Sequence, residues 1–144
     1  MSNNKIEKIS KGNEIIALIV PADFDKDGIE FFTPDSFPQQ VGYMSHPKGH
    51  KIMPHVHRIV PRLIDYTQEV LIIREGSIEV CLYSKEKDFI CKRILNSGDI
   101  ILLASGGHSF KMLKDTTMVE IKQGPYIGDK DKERFKREIN DSSK

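Results

Sequence analysis

Residues 69–103 read EVLIIREGSIEVCLYSKEKDFICKRILNSGDIILL, and this stretch decides the fold class. It consists of short apolar runs separated by turn residues such as Gly76. In the second run Ile78, Val80 and Leu82 alternate with other residues, a period of two that is typical of a β-strand. Short strands separated by turn signals at near-regular spacing predict an all-β sandwich or barrel.

Proline supports this interpretation, because residues 62–124 contain none of the seven prolines in the chain. Proline cannot donate to a sheet ladder, so a proline-free stretch suits uninterrupted strands. We predict strands at about residues 69–73, 77–83, 88–95, 99–103, 108–113 and 116–122. Three further strands are expected in a more loop-rich half, at residues 14–20, 29–33 and 40–44.

The domain organisation is predicted to be one β-domain over residues 1–128, followed by a helix and a frayed tail over residues 129–144. The helix is expected at residues 130–139. Asp129 can cap it, Phe135 lies one turn from Ile139, and Glu133 can pair with Arg137 four residues later.

Composition excludes several classes of function. The 22 Lys and Arg nearly balance the 21 Asp and Glu, which argues against a nucleic-acid partner or a polybasic membrane anchor. No apolar run approaches the roughly 20 residues of a membrane span. Cys81 and Cys91 could face each other across a hairpin, but two cysteines do not make a disulfide scaffold. We therefore expect a cytoplasmic protein with free thiols.

The chemistry is concentrated in residues 49–57, GHKIMPHVH. His55 and His57 are two residues apart, so on a strand both rings would project from the same face. Two such imidazoles are half of a first-row metal site. A His-x-His pair alone is a weak signal, since surface histidines give the same pattern.

The signal continues downstream as two sets of spaced residues. The first set is Gly49, His55, His57, Glu69 and Gly76, and the second is Gly98, Asp99, Gly106 and His108. Together these sets resemble the two motifs of the cupin superfamily, over about residues 40–124. The resemblance implies a double-stranded β-helix, the jelly-roll barrel of cupins, and it implies a homodimer.

The same resemblance implies one divalent metal ion, Zn, Fe, Mn, Ni or Co, held by His55, His57, Glu69 and His108. These ligand types suit a borderline divalent ion. Eleven residues separate His57 from Glu69, more than cupins usually have, so the neighbouring Gln68 remains an alternative ligand. The second motif also lacks its proline and has Ala104 in that place.

Four further residues are candidates for substrate contacts or catalysis. Phe110 lies two residues after His108, so on a strand it would share the face of His108 and line the pocket, unless it only packs in the hydrophobic core. Arg62 could anchor an anionic group, and Tyr66 lies near it in sequence, although a surface arginine is equally expected. Glu120 could act as a general acid or base if it faces the pocket, and otherwise lies on a solvated edge.

A weaker likeness suggests the substrate class. Residues 120–126, EIKQGPY, resemble the tail of small cupins associated with surface-polysaccharide biosynthesis, which implies a sugar or sugar nucleotide. The leading hypothesis is a metal-dependent isomerase or epimerase acting on such a small molecule. An Fe-dependent dioxygenase and a non-catalytic metabolite-binding or sensor protein remain alternatives.

Overall fold

A computed structural model of the chain describes residues 4–137. This part of the chain contains ten β-strands: β1 (Glu7–Lys11), β2 (Glu14–Val20), β3 (Gly28–Phe31), β4 (Gly42–Ser45), β5 (Glu69–Glu75), β6 (Ser77–Tyr83), β7 (Phe89–Asn96), β8 (Ile100–Leu103), β9 (Gly107–Met112) and β10 (Thr117–Lys122). It also contains one 3₁₀ turn, Gly128–Asp131. None of the helical structure within residues 4–137 is long and apolar enough to cross a membrane.

Eight of the strands form two facing antiparallel sheets. The strand order is β1-β2-β8-β5-β10 in the five-stranded sheet and β7-β6-β9 in the three-stranded sheet. Alternation places Leu71 and Ile73 of β5 between the two sheets, where Ile78 and Val80 of β6 meet them. The all-β prediction is confirmed. Over the described residues the sheets do not close into a barrel.

The remaining strands, β3 and β4, pair as a separate two-stranded sheet. One of its faces packs on the chain's own body, because the Tyr43 ring lies edge-to-face against Phe24 at 5.1 Å. The opposite face carries Ile29, Phe31 and Met44, each more than half exposed. This small sheet therefore has an apolar side that the described residues leave about half exposed.

All nine predicted strands are present, with end points that differ by at most two residues. The first strand, β1, was not predicted. Its sequence EKISK has a single apolar residue, Ile9, which is also its only buried residue. A strand with a single apolar residue shows no alternation of apolar and polar residues, so its sequence does not indicate a strand.

The C-terminal helix prediction is wrong for the described residues, because residues 132–137 are not helical. Glu133 and Arg137, which were expected to pair with each other, instead pair with Lys87 and Asp88. Phe135 packs on the ring of Tyr83. A short isolated helix is marginal in water, so these contacts with the sandwich decide the conformation. Residues 138–144, with the rest of the predicted helix and the tail, lie outside the described residues.

Both cysteines are free thiols. They are not cross-strand partners, because Cys81 lies opposite Lys92 and Cys91 lies opposite Leu82. The register shifts between Leu82 and Tyr83, which removes the symmetric turn that a facing pair would need.

Candidate functional site

A carboxylate and an imidazole meet across the two layers of the sandwich. Glu69 opens β5 in the five-stranded sheet, and His108 is the second residue of β9 in the three-stranded sheet. Their Oε2 and Nε2 atoms are 3.3 Å apart. Glu69 is buried, with 8% of its surface exposed, and its carboxylate contacts this ring. The structure thus brings together two of the four predicted metal ligands.

The electrostatic environment favours the ionised form of Glu69. Its hydrogen bond with His108 lowers the pKa of the carboxyl group, and burial opposes this shift. The positive charges of Lys132 and Lys122 lower the pKa further. A buried carboxylate without such partners would be costly. Glu69 therefore presents a negatively charged oxygen to any ligand at this point.

The turn before β9 sets the position of His108. Gly106 has a φ of 70°, and a Cβ atom there would collide with the backbone carbonyl oxygen of Tyr83. Only glycine adopts this conformation at no steric cost. The match of Gly106 to the second motif therefore has a physical basis, since this residue allows the chain to enter β9 beside Tyr83.

Asp99, the acidic residue of the second motif, serves the fold rather than the site. Its carboxylate accepts hydrogen bonds from the backbone N–H groups of Ala22 at 2.8 Å and Asn96 at 2.7 Å. These bonds hold the turn at Gly98, whose φ is 90°. The motif thus combines fold-determining residues with one residue, His108, that is free for chemistry.

Glu69 and His108 line a cleft of about 1040 Å³. Thr67, Tyr83 and Phe110 contribute to one part of its wall, and residues 131–137 form another part. The segment 131–137 also brings charged groups to the cleft. The basic ones are Lys132, Arg134, Lys136 and Arg137, and the acidic ones are Asp131 and Glu133. This part of the wall is therefore polar, with four basic and two acidic side chains, and Arg134 and Arg137 are paired with Asp129 and Asp88.

The segment 131–137 is attached to the sandwich at both ends. The Thr67 hydroxyl donates to the Asp131 carboxylate at 2.6 Å. The Phe135 and Tyr83 rings are 5.2 Å apart and nearly perpendicular, the favoured edge-to-face arrangement. Neither Thr67, Tyr83 nor Phe135 was predicted as a site residue. Phe135 was assigned to a helix, and a wall built by tertiary contacts leaves no periodic pattern to detect.

We expect Phe135→Ala to loosen this wall of the cleft. Loss of the aromatic pair should lower the free energy of unfolding by about 1 kcal/mol. It should also increase amide hydrogen exchange at residues 131–137. The matched control is Lys136→Ala, which changes an exposed side chain of the same segment and should leave both quantities unchanged. If amide hydrogen exchange at residues 131–137 is equal in the two variants, the Phe135–Tyr83 contact does not hold this segment.

The other two predicted ligands lie elsewhere. His55 and His57 belong to an exposed segment without strand structure, residues 46–66, which we call the arm. Their rings are 5.4 Å apart and inclined at 76°, and the Nδ1 atom of His55 lies 2.9 Å from the Met53 carbonyl oxygen. The sequence predicts a shared face for the two rings only if residues 55–57 form a strand, and no described strand includes the arm or pairs with it.

The structure does not bring the four predicted metal ligands together. Within residues 4–137, no group of three or more His, Cys, Asp or Glu side chains is placed to hold a metal ion. Glu69, and not Gln68, faces His108. Gln68 is fully buried and bonds to the Ala104 carbonyl oxygen and the Gln39 N–H group. Of the two alternatives that the sequence leaves open, the Glu69 carboxylate is the one that contacts His108.

The remaining candidates divide between the cleft and other surfaces. Phe110 lines the cleft, with its ring 5.2 Å from that of His108. Arg62 and Tyr66 line a different groove, beside Phe31 of β3. Tyr66 also lines an adjoining pocket that shares Thr67 and Phe135 with the cleft. Glu120 is exposed on β10 and is not among the residues that line the cleft. Of these candidates, Phe110 is the one that lines the cleft itself.

Comparison of the chain with protein-family models, with curated proteins and with solved structures found no match. The cupin resemblance therefore depends on the residue spacings alone. A fold of this kind can carry many chemistries, so function has to be argued from the Glu69–His108 pair and its surroundings.

Proposed function

We propose that this chain binds one divalent metal ion at Glu69 and His108, with His55 and His57 as the other ligands, and acts on a small molecule in the adjoining cleft. The observation that carries the proposal is the contact between a buried carboxylate and an imidazole at the cleft wall. Glu69 is ionised and lies within reach of a ring nitrogen. Such a pair is a common part of a metal-ligand set.

The donor chemistry fits Zn, Fe, Mn, Ni or Co. Imidazole nitrogen and carboxylate oxygen suit these borderline ions, and no thiolate is involved, since neither cysteine lines the cleft. Two ligands alone do not make a tight site. The motif spacing that resembles cupins supports His55 and His57 as the missing pair, and three imidazoles with one carboxylate leave positions open for substrate.

We further propose that the substrate is a sugar or sugar nucleotide and that the reaction is an isomerisation or epimerisation. A bound metal ion would supply polarisation of a carbonyl or hydroxyl group. The chain itself would provide binding: Phe110 gives an apolar wall, and Lys132 on another part of the wall would attract an anionic group such as a phosphate. The resemblance of residues 120–126 to polysaccharide-associated cupins supports the sugar.

The test is the metal content of the purified protein by elemental analysis. The wild-type protein should carry about one ion per chain, and His108→Ala should lose it. His50→Ala is the matched control, because it removes another imidazole that lies outside the proposed ligand set, and it should retain the metal. Metal-free wild-type protein after loading, or full retention in His108→Ala, would contradict the proposal.

A separate screen tests the substrate class. Metal-loaded protein should bind sugars or nucleotide sugars in ligand-detected NMR, and Lys132→Ala should weaken binding of the nucleotide sugars more than that of neutral sugars. If neither class binds, the sugar assignment is wrong while the metal site still stands.

A further inference from the structure

The arm is strongly apolar and almost wholly exposed. Its large exposed apolar side chains are Ile52, Met53, Val56, Ile59, Val60, Leu63 and Ile64. Val56 is 89% exposed and Leu63 is 96% exposed, so these side chains touch almost nothing in their own chain. A contiguous exposed apolar surface of this kind marks an interaction site. The uncovered face of β3 and β4 enlarges it, with Ile29, Phe31 and Met44.

The sandwich offers a place for an additional strand. Among the described strands, β9 pairs only with β6 and β10 pairs only with β5, so each has one free edge. Apolar side chains are exposed here as well: Met112 on β9, and Val119 and Ile121 on β10. An open strand edge beside apolar side chains is a template for the addition of a strand.

The arm matches the free edge of β9 in length and pattern. Between Pro54 and Pro61, the arm has a proline-free run of six residues, 55–60, and β9 also has six residues. In an extended conformation His55, His57 and Ile59 would share one face. The flanking prolines are tolerated because the added strand would lie at the sheet edge. On β9, His108 and Phe110 line the cleft.

We propose that two copies of this chain exchange arms, so that residues 55–60 of each copy add to the β9 edge of the other. Each arm would then bring His55 and His57 beside the Glu69–His108 pair of the second copy. The role given to the imidazoles depends on the proposed function, whereas the exchange of arms does not. Two chains together would form the metal site, and a single chain would not have all four ligands in place.

A second copy is the occupant that the observations favour. Six of the arm's seven large exposed apolar side chains are more than half exposed in the described part of the chain. The same chain carries both the arm and the free edge, so a reciprocal exchange closes as a twofold dimer. The arm has 21 residues, comparable with the ~20–30 residues that each partner gives to a standard interface. The exchange also covers the apolar side chains that a single copy leaves in water.

The exchange can be tested without any metal. Lys51 lies on the arm and Lys111 lies on β9, and both are exposed. Chains labelled with nitrogen-14 and nitrogen-15 are mixed by unfolding and refolding, then treated with a lysine cross-linker. Lys51–Lys111 peptides that join a light to a heavy chain are expected. If these peptides always come from a single chain, the exchange is wrong.

Solution mass gives a second measurement of the exchange. Wild-type protein should be a dimer by light scattering, and Ile59→Asp should be a folded monomer, because Ile59 is exposed in the chain's own structure. Lys51→Asp places an aspartate on the arm outside residues 55–60, with a larger change in net charge, and it should remain dimeric. A monomeric wild-type protein would overturn the proposal.

The shared site is tested by complementation. One copy carries His55→Ala and His57→Ala, and the other carries Glu69→Gln and His108→Ala; the two are co-expressed with different tags. The purified heterodimer should hold one metal ion, and either variant alone should hold none. Wild-type protein that binds metal together with a metal-free heterodimer overturns the exchange alone. Mixed cross-links without metal in the wild type would instead contradict the proposed function.

Discussion

Replacing Glu69 by glutamine is expected to lower the affinity for a divalent metal ion by more than about a hundredfold. Loss of a partner that only orients a ligand costs 10–100-fold in metal affinity, so loss of a charged ligand should cost more. The substitution keeps the size of the side chain and its ability to accept a hydrogen bond from His108. It removes the negative charge, which is the property that the proposed site uses. Calorimetric titration of the metal-free protein with zinc measures the change in affinity.

Glu75→Gln is the matched control, because Glu75 ends the same strand, β5, at an exposed position. Its affinity for zinc should equal that of the wild type. If Glu69→Gln binds zinc as tightly as Glu75→Gln does, the buried carboxylate is structural and serves only to position His108.

Replacing Ile73 by alanine is expected to lower the free energy of unfolding by about 2–5 kcal/mol. Ile73 is fully buried between the two sheets, so the substitution leaves a cavity lined by side chains of both. Its neighbour Ile72 points to the opposite face and is only half-buried, so Ile72→Ala should cost less. Urea denaturation of the two variants gives the comparison. An equal loss would contradict the face assignment of β5.

Much of the sandwich could be predicted from residues 69–122, because alternation and the absence of proline are local signals. β6, for example, has the predicted bounds, Ser77–Tyr83. The pairing of β5 with β8 and β10 could not be predicted in this way. Pairing depends on contacts between residues distant in sequence, and one register shift moves every side chain to the other face.

The wrong predictions involve segments whose conformation is decided by tertiary contacts. The helix at residues 130–139 had a cap and a favourable charge pair, but Phe135 gains more by packing on Tyr83. His55 and His57 lie outside the nine predicted strands, and the arm that carries them pairs with no described strand. Local pattern identifies a segment that can become a strand, and the partner edge decides whether it does.

The candidate site was predicted in part. Glu69 and His108 meet as the motif spacing indicates, and Phe110 lines the same cleft. The basic wall at residues 131–137 was missed, since nothing in the sequence places that segment over His108. Arg62 and Tyr66 were linked to the site by sequence distance alone; Arg62 lines another groove, and Tyr66 lines that groove and a pocket adjoining the cleft.

The most direct test of the metal site is a crystal structure of the metal-loaded protein with anomalous scattering data. We predict an anomalous peak within about 2.0–2.2 Å of a Glu69 carboxylate oxygen and of the His108 Nε2 atom. His55 and His57 should complete the coordination. A metal-saturated crystal in which Glu69 and His108 remain in direct contact, with no anomalous peak between them, would contradict the proposed site.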